Sequence, residues 1–573
     1  MTKDNKSKAP ITLSSSTNVI DLVLKESKAY TSMELIESYI GDQKSLANIP
    51  IQPLYVSLRS LPIELKCHAL SLMTKEQREV IYDLDLWKKD EIDVNEFQNW
   101  VRVVSLSPDD QVRFEFAHGV EFALFIKGKF NIWTFDAEEP EYPDHDYYFL
   151  TEDNLLLFEY DETCDIVDET KTLVRELYYE LGVEKAYQYL FTIVSDGYLT
   201  LSEQEYTHKK GRLSDFGFVD YFEALEVLSP LPSVSHIDLF INKKEALTGE
   251  IDNVGKLQTL HQNSLVAFEQ DHAKISEELT KVKNEKRFHF LHFNFIRLIN
   301  SNLEFHGLLK DSPIAMTRVG KATRNLVNLG INYIRSTREF GESSVFDIFD
   351  FVDVHRVGHS LISVVQKRIK KHLRLTNLDD TDEKFLGNYF ETFLDDLFAI
   401  EAKYKGGTEQ SEAICETVQW EKANRDANLL ISLLPFMKSF KEVFEALSSE
   451  GRLSNSYYLN YDIESIDFES LILSSFVNFS LDKFKKEETQ KMGVTVVELK
   501  SFYLKYLKDI KNSNPLKEKV ASFIASFGLS EINEVDKYIL CLISEHLGGY
   551  KLDDLEESEF KHVGGPIIFN TLS

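Results

Sequence analysis

The stretch SLPIELKCHALSLMTKEQREVIYDLDLW, residues 60–87, decides the fold class of this chain. Thr74 is followed three residues later by Gln77, a capping box that predicts the start of a second helix within the stretch. We therefore expect short antiparallel helices here. Apolar residues recur at helical spacing, at Leu65, Leu70, Leu72, Val80 and Leu84.

The same pattern returns in the second half of the chain, most clearly over residues 257–282. The 573 residues include only 24 Gly and 13 Pro but 40 Phe, which favours long helices with few tight turns. We predict a mainly α protein with two helical domains. The expected order is a mostly disordered N-terminal arm (1–45), a helical domain (46–230), a proline-containing linker (231–253) and an all-α domain (254–573).

One segment departs from the helical pattern. DYYFLTEDNLLLFEYD, residues 146–161, reads as two strands around a turn at Glu152, Asp153 and Asn154. We predict a small β-hairpin at about 146–160. A lone hairpin is marginal in water, so it must pack on the neighbouring helices.

The net charge of −30 excludes some classes of partner. Such a surface repels nucleic-acid phosphates and anionic lipid, so no nucleic acid is expected to bind. The four cysteines are far apart and form no CxxC motif. There is no apolar run of about 18 residues and no signal peptide, so we predict a cytoplasmic protein without a transmembrane segment.

Charge is segregated along the chain. Residues 131–170 contain 14 acidic residues and no Lys or Arg, whereas residues 281–374 contain 17 basic and 8 acidic residues. The basic segment is open to three interpretations: it docks on the acidic segment, it binds an acidic partner or phosphate, or it is a set of solvated helix faces. The candidate interaction residues in this segment, which we call the basic band, are Arg318, Lys321, Arg324, Arg335, Arg338, Lys367, Arg368, Lys370 and Lys371.

The segment DVHRVGHS, residues 353–360, raises the question of a metal site. His355 and His359 are four residues apart and would share one face of a helix, as zinc ligands often do. However, Arg356 stands where a metalloprotease of the HExxH type has its glutamate. The pair is therefore a candidate metal site without a third ligand. The sequence has no GxGxxG, Walker or GxSxG motif, so no cofactor is predicted.

Four segments together resemble a bacterial family of cytoplasmic proteins, the domain-of-unknown-function family sixty-one seventy-eight. They are LPIELKCHALSLMTKEQREVIYDLDLWKKDEID (61–93), DYYFLTEDNLLLFEYD (146–161), GRLSDFGFVDYFEALEVLSPL (211–231) and DVHRVGHS (353–360). The resemblance implies a mostly helical fold and supplies no activity and no catalytic residues. It also implies that His355 stands where the family usually has a large aromatic residue.

These observations favour a non-enzymatic helical scaffold or regulatory protein that acts through contacts with a protein partner. The basic band and the segment around Arg212 to Glu226 are the candidate contact surfaces. One alternative is an enzyme whose metal or carboxylate site is assembled from residues distant in sequence. Another is a peripheral membrane protein attached through the basic helix at QKRIKKHLR, residues 366–374.

Overall fold

The computed structural model describes residues 26–136, 138–195, 198–246, 273–378, 385–405, 410–449, 466–483, 493–507, 514–547 and 567–568. In these ranges the chain forms helices and three small antiparallel sheets, which confirms the predicted mainly α fold. None of the helices in these ranges has both the length and the apolar character that crossing a membrane requires.

The chain divides into two compact units. Unit 1 comprises Met1–Pro230 and Ile237–Gly358, and unit 2 comprises Leu231–His236 and His359–Ser573. Two helices run from one unit into the other along the chain, α12 (Val234–Ala246) and α16 (Phe351–Thr376).

The other helices of unit 1 are α1 (Glu26–Gly41), α2 (Ile51–Ser60), α3 (Ile63–Leu72), α4 (Lys75–Asp85), α5 (Val94–Ser105), α6 (Asp110–Ala117), α7 (Val120–Lys129), α8 (Val167–Leu181), α9 (Val183–Ser195), α10 (Tyr198–Asp215), α11 (Tyr221–Val227), α13 (Ala273–Lys281), α14 (Glu285–Phe305) and α15 (Pro313–Thr337). A 3-10 turn follows at Val345–Asp347. The other helices of unit 2 are α17 (Asn388–Phe398), α18 (Thr417–Ser449), α19 (Phe468–Ser480), α20 (Val496–Phe502), α21 (Asn514–Ser526) and α22 (Val535–Leu547). A π-helical turn at Tyr503–Leu507 continues α20.

The sheets are short. Strands β1 (Trp87–Lys88) and β2 (Glu91–Ile92) form a tight ribbon after α4, and β6 (Lys403–Tyr404) pairs with β7 (Glu412–Ala413) in unit 2. The predicted hairpin is confirmed as β4 (Tyr148–Leu150) and β5 (Leu156–Glu159), which pair antiparallel. A further strand, β3 (Asn131–Thr134), was not predicted; it pairs with the other side of β5 and gives the order β3-β5-β4.

Hydrogen bonds at both ends of α4 fix its position in unit 1. The Thr74 hydroxyl accepts a hydrogen bond from the Gln77 backbone N–H at 3.2 Å, and the Gln77 side chain accepts one from the Thr74 N–H at 3.0 Å. The predicted capping box is therefore confirmed, and α4 begins at Lys75. At the other end of α4, buried Asp85 accepts hydrogen bonds from Tyr55 at 2.6 Å, Arg59 at 2.6 Å and Trp100 at 3.1 Å. These bonds fix the end of α4 in the core of unit 1.

Helices α15 and α16 cross in unit 1 with their backbones in contact. A Cβ atom on Gly330 would lie 2.1 Å from the Val354 carbonyl oxygen, and one on Gly358 would lie 2.0 Å from the Leu326 carbonyl oxygen. Each glycine thus faces a carbonyl of the other helix. Any larger residue at either position must push the helices apart.

In unit 2 a buried carboxylate joins three elements. Glu469 of α19 accepts a hydrogen bond from the Tyr389 backbone N–H at 2.7 Å, in the first turn of α17. It also contacts the His546 ring of α22 at 3.2 Å. Gly387, with φ of +89°, lies so close that a Cβ would be 2.3 Å from the Glu469 side chain. Glycine is therefore required here both for its φ angle and for space.

The predicted linker and the predicted N-terminal arm each contain a helix. The stretch predicted as a linker, 231–253, holds the whole of α12, and residues 247–253 lie outside the described residues. Pro232 and Ser233 directly precede α12, and such residues mark helix starts as well as linkers. Helix α1 lies within the predicted arm, whose residues 1–25 are outside the described residues.

Candidate functional site

Three helices of unit 1 bring charged side chains together. Asp83 lies near the C-terminal end of α4, and Glu121 lies in the first turn of α7. Glu205 and Arg212 are both on α10, 7 residues apart. Since 7 residues are about two helical turns, both side chains leave the same face of α10. We call Asp83, Glu121, Glu205 and Arg212 the Arg212 cluster.

The guanidinium of Arg212 contacts all three carboxylates. It donates two hydrogen bonds to Asp83, both 2.8 Å long, in a bidentate arrangement. Its Nη2 also donates to Glu205 at 2.6 Å and lies 3.4 Å from Glu121. The Asp83 side chain has 0% exposure and the Glu121 side chain 16%. Charge-assisted bonds of this kind are strong because water competes weakly with them.

Three carboxylates around one guanidinium leave negative charge uncompensated. Burial, followed by the nearby carboxylates of Glu205 and Asp83, raises the pKa of Glu121 to about 8. Burial also raises the pKa of Asp83, although Arg212 opposes the effect. Glu121 is therefore mainly protonated at neutral pH, which lowers the repulsion inside the cluster.

Among the described residues, the close group of metal-type ligands is this same set of carboxylates. Single oxygen atoms of Asp83, Glu121 and Glu205 lie within 4.8 Å of one another. Oxygen ligands suit Mg²⁺ or Ca²⁺. The Arg212 guanidinium, however, already donates to all three carboxylates, so it supplies the positive charge that a metal ion would bring. The arrangement is that of an internal ion network.

A cavity of about 450 Å³ lies on the other side of Asp83. It is bounded by the end of α4, the β1–β2 ribbon, α10, the start of α11 and the turn after α14. We call it the Lys209 cavity. Its charged and aromatic lining residues are Asp83, Trp87, Lys88, Lys89, Asp93, Lys209, Asp220, Tyr221, Glu304, Phe305, His306 and Lys310.

Lys209 is the unusual residue of this cavity. It is only 5% exposed, and its Nζ lies 4.9 Å from the centre of the Trp87 ring and 5.3 Å from that of Tyr206. It donates one long hydrogen bond, 3.3 Å, to the Lys89 carbonyl. In the described part of the chain, no carboxylate oxygen lies within 4.0 Å of this ammonium. Buried lysines are rare unless they are paired, so this one needs an explanation.

The electrostatics of the cavity act on Lys209. Burial lowers its pKa to about 8, and the neighbouring Lys310 ammonium adds to the lowering, while Asp83 and Glu304 oppose it. Lys310 itself donates to the backbone carbonyls of Asp85 at 3.0 Å and Trp87 at 3.3 Å. Four lysines thus line this cavity, and the pKa of one of them, Lys209, is lowered to about 8.

The nine residues of the basic band do not behave alike. Arg335 forms a bidentate pair with Glu278, at 2.7 and 2.9 Å, and Arg338 contacts Glu245 at 3.4 Å. Arg368 donates to Asn424 at 2.8 Å, and Arg324 is half-buried. The exposed members are Arg318 and Lys321 in unit 1 and Lys367, Lys370 and Lys371 in unit 2. The interaction role of the band stays a prediction.

The histidine pair lies on α16. His355 is 1% exposed in unit 1, and His359 is half-buried at the start of the unit 2 part of this helix. Within the described ranges, neither histidine belongs to a group of three close ligand atoms. The metal site at His355 and His359 therefore stays a prediction without a third ligand.

The Lys209 cavity was not predicted from the sequence. Glu205 lies in the interior of α10, which begins at Tyr198. One signal was present: Glu205, Lys209 and Arg212 are spaced by four and three residues, which places three charges on one helix face. Such a charged face is usually solvent-exposed, and here it is turned inward.

Comparison with protein families gives a match over most of the chain. The model described as "Family of unknown function (DUF6178)" matches residues 16–527. This match confirms the resemblance inferred from the four sequence segments. Comparison with curated proteins and with solved structures gave no match.

Proposed function

The chain belongs to the DUF6178 family, whose description assigns no function, and we propose from the geometry that it is a helical binding protein that takes up a small organic anion in the Lys209 cavity. The observation that carries the proposal is the buried Lys209 ammonium, which has no carboxylate within 4.0 Å among the described residues. An anionic ligand would supply that missing partner.

The physical cost of the unliganded arrangement supports this proposal. An ammonium taken out of water without a direct ion pair costs several kcal/mol, on the order of the effective penalty for one buried ion. The 3.3 Å hydrogen bond to the Lys89 carbonyl and the more distant charges of Asp83 and Glu304 offset part of this cost. The ring faces of Trp87 and Tyr206 recover part of that cost, since exposed cation–π contacts are worth about 0.5–1 kcal/mol and buried ones about 2. Buried ionisable groups with strongly perturbed pKa values cluster at functional sites.

The lining indicates the kind of ligand. A cavity of about 450 Å³ falls within the range of small-molecule sites, roughly 300–1,000 Å³. Trp87, Tyr221 and Phe305 offer apolar or aromatic surface. The lysines of the lining offer positive charge and its four carboxylates balance that charge; they are Lys88, Lys89, Lys209 and Lys310, and Asp83, Asp93, Asp220 and Glu304. We therefore infer a ligand with a flat or apolar body and one carboxylate or phosphate group.

Trp87 provides a readout for this proposal. The full-length protein is titrated with benzoate and with phenyl phosphate while the tryptophan fluorescence is followed. We expect saturable quenching that is lost in Lys209→Met and kept in Lys185→Met, a change at an exposed lysine of α9. A stronger response to one probe identifies the anionic group. Identical responses in the wild type and Lys209→Met would contradict the proposal.

A second candidate function is the protein scaffold predicted from the sequence. It is favoured by three exposed lysines that follow one another along α16, Lys367, Lys370 and Lys371. Lys370 lies 4.7 Å from the centre of the Phe398 ring, which leaves its charge near the surface. A pull-down from the native host compares the wild type with the triple Lys→Glu variant. Loss of a stoichiometric partner supports the scaffold role, and unchanged capture removes this surface from consideration.

A further inference from the structure

The environment of Lys209 is also suited to covalent chemistry. A lysine amine becomes a nucleophile when it loses its proton, and enzymes achieve this by burying the amine and placing a second cation beside it. Burial is met in the Lys209 cavity, because Lys209 is 5% exposed. Lys310 lines the same cavity and supplies the second cation, while Asp83, Asp220 and Glu304, which also line it, act in the opposite direction. Among the described residues, no carboxylate within 4.0 Å of Nζ holds the proton in place.

We propose that Lys209 captures the carbonyl group of a small aldehyde or keto acid as an imine. This inference rests on the proposed function, because it assigns the chemical class of the ligand that the same cavity binds. It adds to simple anion binding a covalent bond between Nζ and the ligand.

The step balances without any further reactant. The lone pair of the neutral amine attacks the carbonyl carbon and forms the C–N bond, while the carbonyl π electrons move to oxygen, which takes up a proton. The nitrogen then loses a proton, the oxygen leaves as water after taking up a second proton, and a C=N bond forms. Neutral amine, carbonyl compound and one proton thus give a protonated imine and water, and the proton is the one that the Lys209 ammonium released when it became the neutral amine. A protonated imine keeps a positive charge where the Lys209 ammonium was.

Other lining residues fit the two remaining needs of this reaction. The proton transfers require a group that can take up and release protons, and Glu304 is a carboxyl group that lines the cavity, with a pKa raised by burial. The anionic group of the ligand requires a cation other than Lys209. The Lys310 ammonium is placed for this role, because it donates hydrogen bonds to the backbone carbonyls of Asp85 and Trp87 at the end of α4.

Reductive trapping tests the proposal on the full-length protein. The probe is glyoxylate, which combines an aldehyde with a carboxylate, and sodium cyanoborohydride reduces any imine to a stable secondary amine. Peptide mapping then measures the rate of modification at each lysine. We expect Lys209 to react about a hundred-fold faster than an ordinary lysine at pH 7, because its pKa of about 8 leaves far more neutral amine than a value near 10.4.

The comparison lysine within the same sample is Lys185, which is exposed on α9. Two variants test the assignment. Lys209→Arg keeps the buried charge, so it guards against a folding defect, and Lys209→Met removes the charge. The rapid modification is expected to disappear in both. Modification of Lys209 no faster than that of Lys185, or rapid modification that persists in Lys209→Arg, would overturn the proposal.

The two proposals fail separately. If benzoate or phenyl phosphate quenches Trp87 through Lys209 but glyoxylate is not trapped there, the cavity binds anions and the imine is wrong. If glyoxylate is trapped at Lys209 but the two anions give no response, the covalent capture stands and anion binding by itself does not occur.

Discussion

Two buried residues of unit 1 have pKa values displaced toward neutrality from opposite sides. The pKa of Lys209 is lowered to about 8 and the pKa of Glu121 is raised to about 8, each chiefly by burial. Asp83 lies between the two residues' surroundings, because it accepts hydrogen bonds from Arg212 in the Arg212 cluster and also lines the Lys209 cavity. Each pKa shift makes the free energy of unfolding depend on pH, and the two dependences have opposite signs.

Lys209→Met should stabilise the protein near neutral pH. Below pH 8 the folded wild type holds a buried ammonium, while the unfolded chain holds the same proton in water at no cost. Between about pH 8 and 10.5 the folded state loses this proton first, so wild-type stability rises with pH across that window. We expect the variant to gain about 2 kcal/mol at pH 7 in urea unfolding, with a smaller gain at pH 10. Lys185→Met is the matched control, and a gain independent of pH would contradict the assignment.

Glu121→Gln should show a gain that grows with pH. The folded state keeps the Glu121 proton up to about pH 8, whereas the unfolded chain loses it near 4.5, so wild-type stability falls as pH rises between these values. Glutamine carries no charge to bury, and we expect a gain on the order of 3 kcal/mol at pH 9 that nearly vanishes at pH 4. Thermal unfolding across this range measures it. The exposed Glu184→Gln serves as the control, with an expected effect within about 0.5 kcal/mol.

At the scale of elements, the crossing of α15 and α16 is the most sensitive contact. Gly330→Ala would place a methyl group 2.1 Å from the Val354 carbonyl oxygen, and that atom is backbone, so the helices themselves must move. We expect a loss of about 3 kcal/mol, the upper part of the usual range for overpacking. Denaturant unfolding measures the change.

Gly211→Ala is the matched control for the crossing. Gly211 is inside α10, and a Cβ there would meet nothing within 4 Å. Alanine is favoured over glycine in a helix interior by about 0.5–1 kcal/mol, so this variant should be more stable than the wild type. If both glycine variants lost stability equally, helix propensity or local strain would be acting, and the close crossing would not be the cause.

The elements themselves were largely predictable from the sequence, because their signals are local. The Thr74–Gln77 box and the β4–β5 hairpin each depend on residues within a few positions of one another. Strand β3 has only four residues, too few for a period to be recognised, and it is defined by its partner β5. The Lys209 cavity combines residues from Asp83 to Lys310, and no local pattern connects positions that distant.

At the scale of the whole molecule, acids of the acidic segment, residues 131–170, pair with arginines of nearby helices in unit 1. Asp165 pairs with Arg102 of α5 at 2.6 Å, and Glu152 pairs with Arg175 of α8 at 2.9 Å. These pairs are exposed and each contributes little, typically below about 1 kcal/mol. Most of the acids of residues 131–170 therefore remain a solvated negative surface.

The net charge of −30 should make stability depend on salt. Like charges repel one another more in the compact folded state than in the expanded unfolded chain. Raising the NaCl concentration from about 0.01 M to about 1 M shortens the screening length from roughly 30 Å to 3 Å. We expect the midpoint of thermal unfolding to rise by several degrees. A fall would mean that attractive ion pairs dominate, and a neutral osmolyte such as sucrose separates screening from general exclusion.

The strand order β3-β5-β4 has a consequence for association between copies of the protein. Strands β3 and β4 are the two outer strands of this sheet, and an outer strand offers backbone groups with which a strand of another molecule can pair. Between them in sequence lie Asp136, Glu138, Glu139, Glu141, Asp144 and Asp146, so approaching copies repel one another. Salt screens that repulsion. The acidic segment would then protect the outer strands from pairing at low ionic strength, and storage in concentrated salt would remove this protection.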